Sequence, residues 1–122
     1  MRPASLALLA LLLFAGAANA VGNKSAAPNR FGAIAYERAS KSWGVSYDMA
    51  RARDANVEAL RQCGQKRCEV VHKFKNGCAA LVDGPKAKTG VAASGATRDE
   101  AETKALKRCG PDCAAVAWAC TR

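Results

Sequence analysis

The chain has 122 residues, 50% hydrophobic, 24% charged and only 6% aromatic, which suits one small globular domain and excludes two full domains or a wholly disordered chain. Nineteen basic residues against ten acidic ones give a formal charge of +9, and a single histidine, His72, excludes multi-histidine metal chemistry. Six cysteines in so short a chain point to a disulfide framework or a metal site.

Residues 1–20 read as an export signal: Arg2 supplies a positive start, Leu6 to Ala15 an apolar run, and Ala18-Asn19-Ala20 a small-x-small cleavage site. The run falls short of the roughly 20 residues that a membrane anchor needs, and no cysteine follows the site for lipid attachment. The mature chain then starts at Val21, with 18 basic and 10 acidic residues and a formal +8. Residues 21–30 (VGNKSAAPNR) form a loose N-terminal arm, and 31–122 a single α+β domain.

FGAIAY (31–36) is a short strand, and in WGVSYD (43–48) Trp43, Val45 and Tyr47 alternate onto one face. From about Arg51 to Cys63, Ala52, Ala55, Ala59 and Leu60 recur at helical spacing, and Gly64 stands where a left-handed cap is wanted. CEVVHKF (68–74) is a strand, and Asn76-Gly77 is a hairpin signal leading into CAALVD (78–83). A further strand at 89–93 precedes a capping box, Thr97-Arg-Asp-Glu100, which opens a helix to about Cys109. Gly110-Pro111 ends that helix, and CAAVAWAC (113–120) is the last strand, with Trp118 expected in the core.

A shift of 46 residues lays Gly32–Gly64 over Cys78–Gly110, matching Ala33/Ala79, Gly44/Gly90, Val45/Val91, Ala59/Ala105, Leu60/Leu106, Cys63/Cys109 and Gly64/Gly110. The chain thus reads as two copies (31–75 and 77–121) of a strand-strand-helix-strand unit, with two helices packed on a mainly antiparallel sheet. In each copy a helix ends in cysteine, turns at glycine and meets another cysteine at the next strand. Such a turn brings two Cα atoms to roughly 5.5 Å, the separation a disulfide needs. Cys63 is therefore paired with Cys68, Cys109 with Cys113 and, by elimination, Cys78 with Cys120. The rival reading, a zinc site built from both short pairs, fits common ligand spacings loosely and is disfavoured by export.

The sequence FGAIAY after a signal peptide, WGVSY before an alanine-rich helix ending in Cys-Gly, then Asn-Gly-Cys-Ala-Ala-Leu, GATRDEAETKALKRCG and VAWAC resembles the domain of unknown function 4189 family over about residues 31–121. The resemblance implies a small exported bacterial protein of the periplasm or the extracellular medium. It brings no catalytic residues to carry over. The lysine-rich loop GPKAK (84–88) and the lack of aromatics at 89–93 depart from the first copy.

No G-x-S-x-G, H-E-x-x-H or phosphate-cradling glycine loop is present, and no cofactor is implied. His72 lies in the alternation of its strand and reads as structural in preference to catalytic. Asp54, Glu58, Asp99, Glu100 and Glu102 fall on helix surfaces as solvating and capping groups. Trp43, Tyr47 and Tyr36 admit an aromatic platform for a sugar or peptide, against the plainer reading of sheet–helix packing. The basic excess is more informative, because it attracts acidic partners. Its loop members are Lys73 and Lys75, Arg38 and Lys41, and Lys86 and Lys88, with further cations along both helices. With Trp43 and Tyr47 these are the candidate binding residues. The expected function is an exported, non-enzymatic, disulfide-stapled binding protein for an acidic protein or an anionic envelope polymer, an inhibitor or immunity role being one concrete form. The alternatives are a small envelope enzyme or redox protein using His72 or a labile cysteine pair, and a structural envelope component without a specific ligand. Export disfavours nucleic acid as the partner.

Overall fold

The computed structural model describes residues 27–122; the expected signal peptide (1–20) and the start of the arm lie outside the described residues. Eight elements follow in order: β1 (Phe31–Glu37), β2 (Ser42–Met49), α1 (Ala52–Cys63), β3 (Glu69–Lys75), β4 (Cys78–Asp83), β5 (Val91–Gly95), α2 (Arg98–Cys109) and β6 (Ala114–Cys120). The α+β class holds, but the strands form two antiparallel three-stranded sheets, ordered β2-β1-β3 and β5-β4-β6.

The alternation of side chains along the two central strands sets the layering. Ile34, Tyr36 and Phe74 of the first sheet meet Ala79, Leu81, Ala117 and Ala119 of the second. On the opposite face of β1, Ala33 and Ala35 pack against Ala55, Ala59 and Cys63 of α1. On the opposite face of β4, Ala80 and Val82 pack with Ala101 and Ala105 of α2. The molecule is thus helix, sheet, sheet, helix, and β4, covered on both faces, is buried at every position.

Asn76-Gly77 does not close a hairpin. Both edges of β4 are taken by β5 and β6, so β3 has no place beside it and pairs with β1 instead. The dipeptide carries the chain from one sheet to the other, with Asn76 at φ 51°. Its polar groups are satisfied by the two ends of the domain. Asn76 N–H donates to Arg30 O, Arg30 N–H to Asn76 Oδ1, Gly77 N–H to Thr121 Oγ1 and Thr121 N–H to Gly77 O.

The gapless 46-residue shift holds over the helices, where Ala55 and Ala101 face their sheets alike, and fails over the strands. Ala33 faces α1, whereas Ala79 faces the other sheet. The register of β1 and β2 slips between Phe31 and Ala33, while β4 and β5 pair without interruption. The extra residue sits in a β2 bulge near Asp48, which has φ 55°. Over the strands Ile34 therefore corresponds to Leu81, and Tyr36 to Asp83.

Three disulfides join Cys63 to Cys68, Cys109 to Cys113 and Cys78 to Cys120. The first two span helix exits turned by Gly64 (φ 72°) and Gly110 (φ 97°). The third joins directly opposed residues of β4 and β6. At the start of α2, Thr97 Oγ1 accepts from Glu100 N–H, as a capping box requires, but the Glu100 carboxylate turns to Ala96 N–H.

Small residues let α1 approach β2 closely. Ser46 Oγ donates to Ala55 O at 2.7 Å and accepts from Ala33 N–H at 3.1 Å, so this buried hydroxyl is fully used. A Cβ on Gly44 would collide with Ala59 O and stand 2.5 Å from Cys63 N. Gly44→Ala is therefore expected to lower the unfolding free energy of the oxidised protein by about 2–3 kcal/mol. Gly64→Ala, strained only by its backbone angle, should lower it by about 1 kcal/mol. Equal losses in urea unfolding would show that no tight contact exists at Gly44.

Candidate functional site

The eight candidate binding residues fall in three places. Arg38, Lys41, Lys86 and Lys88 gather where β1 and β4 end. Lys73 and Lys75 lie on β3 at the other end of the first sheet, since Lys75 is opposite Phe31. The two ends of β1 are about 20 Å apart, so these lysines do not form one site. Trp43 and Tyr47 stand on β2, the opposite edge strand, and are 44% and 53% exposed.

At the first place Arg38 is structural. Its Nε donates to Asp83 Oδ2 at 3.1 Å, its Nη1 to Lys88 O at 2.6 Å, and its Nη2 to Gly84 O and Ala87 O. The guanidinium thus pins the 84–88 loop and has no fork left for a ligand, a correction to its reading as a binding residue. Asp83 also accepts from Tyr36 Oη at 2.7 Å and from Gly84 N–H at 2.9 Å. Burial, with the hydrogen bond to Asp83 and that carboxylate's charge, pushes the Tyr36 hydroxyl up to about 12, against a smaller opposing pull from Arg38. Burial works to raise Asp83, but the Tyr36 and Gly84 hydrogen bonds and the Arg38 charge together hold it below the ordinary carboxylate range. At neutral pH the cluster is thus a protonated phenol, a carboxylate and a guanidinium, with no proton in play. The adjoining cleft, about 390 Å³, is also lined by Lys41, Pro85, Asp112 and Val116. Lys86 of the adjoining loop pairs with Asp112 at 3.3 Å, leaving Lys41 in the cleft and Lys88 in the loop without an ion-pair partner among the described residues.

The second place is different in kind. The β3 register turns Lys73 and Lys75 away from the sheet interface, where Phe74 is buried. With Phe31, Ala52 and Phe74 they line a depression of about 340 Å³. Arg51 and Arg53 flank Ala52 at the start of α1, and Arg51 as N-cap residue offers no side-chain hydrogen bond. Two cations at the positive end of a helix dipole oppose it, with only Asp54 as an acid in that turn. The equivalent turn of α2 carries Thr97 as cap, with Asp99 and Glu100. Among the described residues no ion pair engages Arg51, Arg53, Lys66, Arg67, Lys73 or Lys75, whereas Arg98 and Lys104 of α2 pair with Glu102 and Glu100.

His72 packs against Phe74, and its Nε2 lies 3.1 Å from Ser94 Oγ across the two sheets. Burial, then the charge of Arg108, hold its pKa below the ordinary histidine range. No free cysteine exists, and the described residues hold no group of three or more His, Cys, Asp or Glu able to bind a metal. Trp118 is not in the core: it is 43% exposed and stacks under Arg98, whose Cζ is 4.2 Å from the ring centroid. Sequence reasoning missed this stack, as well as Asp83 and Ser94, because each depends on a contact between the halves or between a helix and an edge strand.

In ultraviolet titration Asp83→Asn should move the Tyr36 midpoint below about 12, and it should lower stability by about 1–3 kcal/mol. In the unaltered protein Tyr36, raised above its ordinary 10.0, supports the fold below pH 10 and loses that contribution as pH rises through about 12. A midpoint unmoved in the variant would show that burial alone sets it.

The architecture is similar to the NMR structure of Rv1813c from Mycobacterium tuberculosis, with a TM-score of 0.61 and 26% identity over 97% of this chain and 99% of that one. No curated protein matches the chain. The family model for the domain of unknown function (DUF4189) matches residues 31–120, and the chain belongs to that family.

Proposed function

We propose that the protein is a non-catalytic binding protein that recognises an acidic macromolecular partner through the outer face of its first half. The observation that carries this reading is that Lys73 and Lys75 line an apolar floor of Phe31, Ala52 and Phe74, with Arg51 and Arg53 flanking Ala52 in the chain, and that none of the four cations has an ion-pair partner among the described residues. An acidic chain laid there gains counter-charges and relieves the conflict between the two arginines and the α1 dipole. Three disulfides fit an oxidising compartment, and no helix among the described residues is long and apolar enough to cross a membrane. With the expected export signal, the partner is an acidic protein or anionic envelope polymer, and inhibition of a secreted protein is one form such recognition takes.

A second reading, a small envelope hydrolase, draws on the 3.1 Å contact between His72 Nε2 and Ser94 Oγ. Against it, Ser94 is the only hydrogen-bond partner of the His72 side chain among the described residues, so no carboxylate orients the imidazole as a nucleophile–base pair requires. A redox role would require one of the three disulfides to open.

Binding to polyglutamate at low and physiological salt separates the faces. The double variant Lys73→Glu/Lys75→Glu should weaken binding by at least about tenfold, roughly 1.4 kcal/mol. Lys86→Glu/Lys88→Glu should change it by less than about twofold, given the existing pairing of Lys86. Unchanged binding in the first double variant would discard this face. Retention of one acidic envelope protein at physiological salt, where screening reaches about 8 Å, would identify a dedicated partner.

A further inference from the structure

The described residues hold six aromatic side chains other than histidine, and three of them, Trp43, Tyr47 and Trp118, are 43–53% exposed. All three stand on β2 and β6, edge strands of different sheets that overlie one another on one flank. Leaving rings of this size half in water forfeits part of the roughly 1.5–3 kcal/mol that burying each would contribute, while alanine fills the helix contacts. Tyr47 and Trp118, with Ala119 and Cys120, line a depression of about 350 Å³. Trp43 shares the face of Tyr47, about 13 Å further along β2.

We infer that this flank is a carbohydrate-binding site, taking a short stretch of neutral β-linked hexopyranose chain on the rings of Tyr47 and Trp43 and on the face of Trp118 that Arg98 does not cover. The charges at its Tyr47 and Trp118 end are already compensated. Arg98, stacked on Trp118, pairs with Glu102 at 3.1 Å, and Asp48 accepts from Arg122 N–H at 2.8 Å with the Arg122 guanidinium 4.0 Å away. Little net field remains at that end for an acidic ligand, in contrast to the Lys73 face. What remains is flat apolar rings bordered by hydrogen-bonding groups, complementary to a pyranose, which has an apolar C–H face and hydroxyls around its rim. Area argues against a protein partner. A flank one sheet spacing wide, about 10 Å, and one strand long, about 23 Å, offers a few hundred Å², against about 800 Å² per partner in a stable protein interface.

Both tryptophans lie on the flank, so intrinsic fluorescence reports its occupancy. Titration of the oxidised protein with chitotetraose and cellotetraose should give a saturable change with at least one of them, with affinity altered less than about twofold between low salt and about 1 M salt. Tyr47→Ala and Trp118→Ala should each weaken binding by at least about tenfold, circular dichroism confirming the fold, while Lys73→Glu/Lys75→Glu should leave it unchanged. No saturable change with either tetramer, loss of binding in salt, or full affinity in both aromatic variants would overturn the inference. None of these outcomes touches the salt-sensitive binding expected of the lysine face.

Discussion

Both central strands are covered on two sides, and that constraint dictates the residue at almost every buried position. Toward the helices β1 and β4 present alanine, valine and cysteine; toward each other they present isoleucine, leucine, tyrosine and one alanine, Ala79. The result is a core of little volume, whose largest fully buried side chains are Ile34, Leu81, Val82 and Ser46. A thin core explains the placement of the disulfides. Closing loops of five and four residues contributes about 2 kcal/mol each on a chain-entropy view, and closing 42 residues about 4. The two short bridges hold each helix exit against its sheet, and the long one fixes β6 to β4.

With the centre committed to packing, the exposed features lie on the four edge strands and the helix ends, and the two flanks differ physically. At β3 the cations have no ion-pair partner among the described residues and border an apolar floor, so the field there is long-ranged and sensitive to salt. At β2 and β6 the neighbouring charges are paired and the aromatic rings are exposed, so the field there is weak and the surface is apolar. The Arg38 cluster belongs to neither. It spends a guanidinium on three backbone carbonyls and a carboxylate, and thereby converts a lysine-rich loop into a fixed part of the scaffold.

Much of this fold is legible in the sequence. Alanines at helical spacing, glycine after cysteine and the Thr97 capping box locate both helices, and those glycine turns identify the two short disulfides. Trp43, Val45 and Tyr47 do share a face, although two of them overhang its edge. What local pattern cannot convey is which strand lies beside which. Asn76-Gly77 has the chemistry of a hairpin turn, and only the prior occupation of both β4 edges makes it a crossover. Trp118 alternates as a buried residue would, yet its face carries Arg98 at the start of α2. The matches Ala33/Ala79 and Val45/Val91 are coincidences of an alanine- and valine-rich chain, because the β2 bulge shifts the true correspondence by one. Arg38 reads as one more surface cation until Asp83, 45 positions away, is seen beside it.

Tyr36 and Asp83 hold equivalent places in the two halves and bond to each other across the boundary between them. A self-complementary pair of identical halves would bring each residue against its own copy. Two copies of the second half would set carboxylate against carboxylate in a buried place, and two copies of the first would set two phenols together with no anion for Arg38 to engage. The contact is satisfied only because the halves differ. Likeness of architecture has thus been joined to unlikeness of chemistry at the seam, and neither half can stand in for the other.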